Sequence, residues 1–319
     1  MAMILYERGL LDLEAPVAAI IPEFLLTDEK DQRRRVVTLR MLLAHSSGLP
    51  AYERLFLKAR TREDLLQAAF ATRLTADPAS RAEYSDIGFI ILGVALERIA
   101  GEALDRFCQR EIFGPLAMTT TTFNPPVDAR HKIPPTANEE EQNGPGAPAP
   151  ARENSKSLQS PGGSLPAPGT FRKRIIQGEV QDENAFILGG VAPHAGLFST
   201  AEDLAKFAQA MLNGGHPVLR PETVALFTRG ESAPTGTSRA LGWDTPSSPS
   251  QSGKYFSSRS YGHLGYTGTS LWIDPARELS ITLLTNRTWP DCSNQTIKQV
   301  RPNFHDAVIK AMESPQRMQ

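Results

Sequence analysis

The amino-acid sequence predicts an α+β fold: an antiparallel β-sheet flanked by helices, with a mostly helical region beside it. Three observations lead there. Leu271-Trp-Ile-Asp-Pro275 and Leu279-Ser-Ile-Thr-Leu-Leu-Thr285 read as two β-strands joined by a short polar turn. The run Tyr261 to Asp274 sets three glycines and several small hydroxyl residues into sequence that otherwise reads as a strand. Glycine inside a strand lets another backbone or a ligand approach closely. A last helix, from about Gln295 to Met312, carries Ile297, Val300, Phe304, Val308 and Met312 as an apolar stripe suited to covering one face of the sheet.

Composition narrows the function. The chain has 319 residues, 40% apolar and 22% charged, enough for one large domain or two ordinary ones around a real core. It is read as a single domain over 1–319. A formal net charge of −1 argues against nucleic-acid binding, which needs a basic excess. Cys108 and Cys292 are too few for a disulfide scaffold or a metal cluster, so no metal or other cofactor is expected. No apolar run is long enough for a transmembrane segment, and no secretion signal follows Met1, which leaves the compartment open.

Taken in order, the chain begins abruptly. Met1 to Gly9 reads as the end of an apolar helix with Gly9 as its stop, yet no capping residue opens it. The expectation is that the front of this helix is missing. Leu10 to Phe24, broken by Pro16 and Pro22, reads as a turn and a short helix. Val37 to Leu43 is a helix running into Ala44-His-Ser-Ser-Gly-Leu-Pro50. His45 beside Ser46 or Ser47 suggests a base with its nucleophile, but adjacent side chains seldom face each other, so a helix-ending turn is the reading preferred.

Thr61-Arg-Glu-Asp64 reads as a cap for a helix with Leu65, Leu66, Ala69 and Phe70 on its apolar face. Glu83-Tyr-Ser-Asp-Ile-Gly88 precedes a long apolar helix, Phe89 to Ala100, stopped by Gly101. Tyr84, Ser85 and Asp86 either cap that helix or present three polar groups to a cleft; the sequence leaves both open. A second helix follows with Leu104, Phe107, Cys108 and Ile112 at helical spacing. Pro134 to Thr170 is rich in Pro, Gly, Ser, Asn and Glu and reads as a disordered insertion.

Gly178 to Asn184 and Leu188 to Gly196 read as polar, glycine-rich loops, with His194 taken as structural. Ser199-Thr-Ala-Glu202 caps a helix carrying Leu204, Phe207, Met211 and Leu212 and ended by Gly214-Gly215. Pro221 opens the next short helix. Ser232 to Ser260 is loop-like around Leu241-Gly-Trp-Asp244, where Trp243 is read at a cleft edge.

Three segments in this order resemble the serine β-lactamase and penicillin-binding-protein superfamily, specifically its class C-like serine hydrolases. Leu42-Leu-Ala-His-Ser-Ser-Gly-Leu-Pro50 is similar to the family's Leu-Leu-x-His-x-Ser-Gly-Leu turn. Tyr84-Ser-Asp86 is similar to its Tyr-x-Asn motif. His263-Leu-Gly265 is similar to its Lys-Thr-Gly or His-x-Gly strand. The segments His194 to Ser199 and Gly242-Trp243 also look familial. The resemblance covers almost everything outside 134–170 and implies a β-lactamase/transpeptidase-like fold. The family's Ser-x-x-Lys, which supplies the nucleophile, does not occur in these 319 residues. The resemblance places it just before Met1, together with an N-terminal hairpin that would pair beside the C-terminal strands. Without that hairpin, Leu279–Thr285 would keep an apolar edge open to self-association.

The resemblance implies acyl transfer through a covalent acyl-enzyme on a small-molecule or peptide acyl substrate. Tyr84 would move the proton with the lysine. His263 would hold a substrate carboxylate or steer the Tyr84 hydroxyl. The Tyr266 N–H would form one arm of an oxyanion hole. Asp86, Gly265 and Trp243 would line the substrate site. Asp86 in place of Asn and Leu264 in place of Thr tilt the expectation toward an esterase or amidase rather than an efficient β-lactamase. Lacking the nucleophile, the chain as written is expected to be inactive. The competing reading is a non-catalytic protein that binds a peptide or cell-wall ligand.

Overall fold

The computed structural model describes residues 1–26, 31–139, 171–248, 250–290 and 292–313. The N-terminal part is helical: α1 (Ala2–Glu7), α2 (Val17–Ile20), α3 (Glu23–Leu26), α4 (Leu39–Leu43), α5 (Arg62–Ala71) and α6 (Asp86–Ala100). The starts are chemically marked. The Thr38 hydroxyl accepts from Met41 N–H, Thr61 and Asp64 form a reciprocal capping box, and the Ser85 hydroxyl accepts from Gly88 N–H. Gly101, at φ +64°, ends α6 in the left-handed conformation that glycine adopts without strain.

The core forms around α6, which touches α1, α2, α4 and α5. Ile87, Ile90, Ile91, Leu92 and Leu96 are buried there with Leu39, Leu42 and Phe70. Fully burying one such side chain is worth about 1.5–3 kcal/mol, so this helix anchors everything attached to its first turn. Helix α7 (Leu104–Cys108) packs on α6 and passes into a wider turn over Gln109–Phe113.

The middle of the chain makes small sheets. Strand β1 (Thr122–Phe123) is followed by β2 (Pro135–Asn138), β3 (Ile175–Gln177), α8 (Glu183–Ile187) and β4 (Leu197–Phe198). β1 pairs with β4 and β2 with β3, both antiparallel. β2 therefore lies inside the segment 134–170 expected as an insertion. Glu139 at its end is buried in an ion pair with Arg172. Residues 140–170 of that segment lie outside the described residues.

Helices α9 (Ala201–Leu212) and α10 (Pro221–Thr228) lead to the main sheet, β5 (Tyr261–Leu264), β6 (Ser270–Asp274) and β7 (Leu279–Leu283), in the order β5-β6-β7 and all antiparallel. The two-residue period of β6 divides its side chains. Ile273 joins Ala208 and Met211 of α9 on one face, and Trp272 joins Ile281 and Ile309 on the other. Ile309 belongs to the final helix, α11 (Ile297–Glu313). β7 is an edge strand among the described residues, as expected from the resemblance.

The buried face of α11 differs from the apolar stripe expected for it. Ile297, Arg301, His305 and Ile309 are buried, while Val300, Phe304 and Met312 are exposed. The buried face is formed in part by an arginine and a histidine, residue types that ordinarily face water, and so lies beside the apolar stripe. Both can be buried because each is hydrogen-bonded. His305 donates from Nδ1 to the Ser252 carbonyl at 2.9 Å and accepts at Nε2 from the Ser270 hydroxyl at 3.0 Å.

Candidate active site

The end of α4 and the start of α6 are sewn together at His45. Its backbone takes the left-handed conformation, φ +55°, and its carbonyl accepts from Glu83 N–H at 2.8 Å. Its Nδ1 accepts from Ser85 N–H at 3.1 Å. The Ser85 hydroxyl donates to the Pro50 carbonyl at 2.6 Å while capping α6. Tyr84 is thus held between fixed backbone on both sides. Of the two readings of Tyr84-Ser-Asp, the cap is what the structure shows: Ser85 caps the helix and is buried with Asp86, while the Tyr84 ring lies near the strand residue His263.

The Tyr84 ring lies 6.0 Å from His263 and 4.7 Å from His45, centroid to centroid. His45 also stacks on Phe89 at 4.6 Å. Because His45 Nδ1 accepts, its proton sits on Nε2, which has no hydrogen-bond partner among the described residues. Burial, then the charge of Arg239, holds its pKa well below the ordinary value, and a proton on His263 would push it the same way, so it is neutral. The turn reading of His45 stands. Its neighbours Ser46 and Ser47 are buried, and its ring contacts come from Tyr84 and Phe89, more than 35 residues along the chain.

His263 sits on β5 with Nδ1 donating to the Leu264 carbonyl at 3.0 Å, so Nε2 carries a lone pair. Burial and the charge of Arg239 lower its pKa. It enters the site as a neutral acceptor. The cation here is Arg239, whose guanidinium carbon is 5.9 Å from the Tyr84 ring centroid. Its nearest carboxylate, Asp244, is 3.8 Å away. Asp244 pairs through two backbone hydrogen bonds with Gly262, which docks the Arg239 loop beside β5. The sequence reading missed Arg239, since it lies in loop-like sequence and only this docking brings it to Tyr84.

The other expected residues are more scattered. Gly265 follows β5; a Cβ there would fall 2.1 Å from the Thr269 hydroxyl, so a larger residue would have to displace the Thr269 side chain. Tyr266 follows, with Arg287 Nε donating to its carbonyl at 2.8 Å. Asp86 is buried at the first turn of α6, its N–H bonded to the Ala51 carbonyl. Trp243 packs against Tyr261 at 5.1 Å and Phe207 at 6.3 Å, between α9 and the sheet rather than against Tyr84 or His263. His194 pairs with Asp182 at 3.1 Å, with its side chain buried, in keeping with its structural reading.

Residues 1–299 match the family model described as β-lactamase. The chain belongs to the β-lactamase family. Its relatives within the curated proteins include a putative D-alanyl-D-alanine carboxypeptidase of Escherichia coli (strain K12), 33% identical over 300 residues, covering 89% of this chain and 64% of that protein. An N-acetylmuramyl-L-alanine amidase of Bacillus subtilis (strain 168) is 33% identical over 305 residues, with the same two coverages. The chain thus spans a little under two thirds of these relatives. Among solved structures, EstCE1, a hydrolase with promiscuous acyltransferase activity, superposes with a TM-score of 0.64 at 22% identity, over 93% of this chain and 80% of that one. Unliganded simvastatin synthase from Aspergillus terreus does so with 0.64 at 22%, over 97% and 80%. These two share the β-lactamase fold with this chain.

Proposed function

We propose that this β-lactamase-family chain is the substrate-binding and proton-handling part of a serine acyl hydrolase, with Tyr84 as the group that moves the proton. The observation that carries the reading is the meeting of Tyr84, neutral His263 and the cation Arg239 at one place. The chain contains no Ser-x-x-Lys, so on this reading the nucleophile and its lysine come from residues outside this sequence. The serine oxygen bonds to the substrate carbonyl carbon and passes its proton through Tyr84. The leaving group takes that proton as its bond to the carbonyl breaks. Water then hydrolyses the acyl-enzyme by the same route. The developing oxyanion is held by backbone N–H groups, Tyr266 among them.

A neutral His263 steers the Tyr84 hydroxyl rather than holding an anion. The carboxylate-binding role falls to Arg239, only loosely engaged by Asp244. That favours an acyl substrate bearing a carboxylate near the scissile bond, such as a peptide ending in a free carboxyl group. This reading differs from the esterase or amidase expectation drawn from Asp86 and Leu264, because it gives Arg239 the substrate's negative charge. The test uses the protein carrying its Ser-x-x-Lys segment, with a thioester and a D-alanyl-D-alanine peptide. Replacing Tyr84 with Phe is expected to slow acylation by about 100-fold or more; a change under twofold would sink the assignment.

The open edge of β7 is the surface proposed for self-association.

A further inference from the structure

The turn between β5 and β6 is held from behind by two arginines. Arg301, buried on α11, donates from Nε to the Gly268 carbonyl at 3.2 Å and from one terminal nitrogen to the carbonyls of Gly265 and Thr269. Its other terminal nitrogen reaches Gln251 Oε1 at 2.9 Å. Arg287 donates from Nε to the Tyr266 carbonyl and lies 4.3 Å over the Tyr266 ring, while its own N–H bonds the Thr267 carbonyl at 2.9 Å. The carbonyls of all five residues from Gly265 to Thr269 are therefore engaged. Gly265 N–H to Thr269 closes the turn at 2.8 Å.

A buried guanidinium without a carboxylate is costly. Among the described residues none pairs with Arg301, whose pKa burial and Arg287 hold down to about 10, so it stays charged at neutral pH. A cation kept there on neutral carbonyls alone acts on those peptide units. A trans peptide points its C=O and the next N–H in opposite directions. Fixing the Gly265 oxygen on Arg301 therefore aims the Tyr266 N–H away from α11, and the positive charge behind the peptide strengthens that N–H as a donor.

We propose that Arg301 is a positioning residue for the oxyanion-binding amide, with Arg287 as its partner on the next peptide. This rests on the acyl-hydrolase reading above, and it adds to that reading a part for the C-terminal helix. Arg301 touches no substrate; it acts through the turn.

The experiment compares wild type with Arg301→Met, Arg301→Lys and Arg287→Met, using hydrolysis of a neutral aryl ester by the full protein and amide hydrogen exchange at Tyr266 and Thr267. Arg301→Met is expected to lower kcat at least tenfold with KM within twofold, because an oxyanion donor matters in the transition state. Arg301→Lys restores part of kcat by keeping the charge. Tyr266 exchange quickens in Arg301→Met, while β6–β7 amides stay protected. Arg287→Met, on a half-buried residue, gives a smaller effect in the same direction and keeps the test open if Arg301→Met fails to fold. Unchanged kcat in folded Arg301→Met, or in Arg287→Met should Arg301→Met fail to fold, or a loss entirely in KM, overturns the proposal. If wild type hydrolyses nothing, the functional reading fails separately, and unchanged Tyr266 exchange in the variants then overturns the positioning role itself.

Discussion

Ser85 gives its backbone N–H to the buried Nδ1 of His45, 40 residues earlier, at 3.1 Å. That one bond joins the end of α4 to the start of α6. It fixes the His45 proton on Nε2 and sets the backbone from which Tyr84 projects. Stability and site geometry meet in the same pair.

Replacing His45 with Phe keeps an aromatic ring against Phe89 and Tyr84 but leaves the Ser85 N–H without its acceptor. A buried amide left unpaired costs about 1–3 kcal/mol. His45→Phe is expected to lose that much in urea melts, and Tyr84-dependent acylation should fall with it. Wild-type stability in the variant would mean that Ser85 finds another partner.

The buried histidines set a pH dependence. His45, His263 and His305 all have folded-state pKa values below their unfolded ones, with burial the first cause. Protons then bind preferentially to the unfolded chain below about pH 6.5, so stability is full above that pH and falls as pH drops through it. Thermal melts from pH 8 to 5 should show a falling midpoint, with a shallower slope in His305→Gln. A midpoint that holds flat to pH 5 would contradict neutral burial of these rings.

Glu183 opposes that trend. Burial, with Asp182 nearby, pushes its carboxyl up to about 7. A raised carboxyl pKa gives stability that is whole below about pH 4.5 and lost as pH rises through 7. Glu183→Gln keeps the Tyr52 hydroxyl within reach of the same side-chain oxygen position, 3.5 Å away in wild type, and removes the charge. The variant should be more stable than wild type at pH 8, by up to about 3 kcal/mol, with the gap closing at pH 5. Equal stability at pH 8 would place the Glu183 carboxylate in water.

Arg239 is expected to act on binding. In the protein carrying its nucleophile, Arg239→Ala should raise KM for a carboxylate-bearing peptide about tenfold or more, the worth of a charge-assisted hydrogen bond. A neutral ester should show little change in KM. The His263 titration, followed by NMR, should move up, since Arg239 depresses it. Equal effects on both substrates would assign Arg239 to structure.

The edge of β7 gives a test in solution. Leu284, just past the strand, is 43% exposed, beside a strand with no partner on its outer side among the described residues. Light scattering should find oligomers that Leu284→Lys reduces, because a charge on an edge strand blocks further pairing. A wild-type monomer at high concentration would count against the edge as an interface.

Much of this was legible in consecutive residues. Caps at Thr61 and Ser85, stops at Gly101 and Gly214, and the two-residue period of β6 and β7 are local chemistry, readable without a partner; the α9 cap, read as a box opened by Ser199, is Thr200, one residue on. Tyr84, His263 and Gly265 stood out because each lies in a short motif whose members are neighbours in the chain. Strand β2 was hidden by its setting: Pro135 to Asn138 lead straight into proline-rich sequence, and the strand exists through its pairing with Ile175–Gln177. The buried face of α11 was misread because an arginine and a histidine do not look like core until their acceptors are known.

By itself the sequence determined that α5, α6, α9 and α11 are helices and β6 and β7 strands, which strand carries His263, and that Tyr84 precedes the most apolar helix. Capping, glycine conformation and hydrophobic period act within a few residues, so they are written locally. Only the tertiary structure decided that His45 and His263 are neutral, that Arg239 is the cation beside Tyr84, and that Arg301 grips the turn at Tyr266. Proton states and hydrogen-bond partners depend on desolvation and on charges brought together from distant parts of the chain.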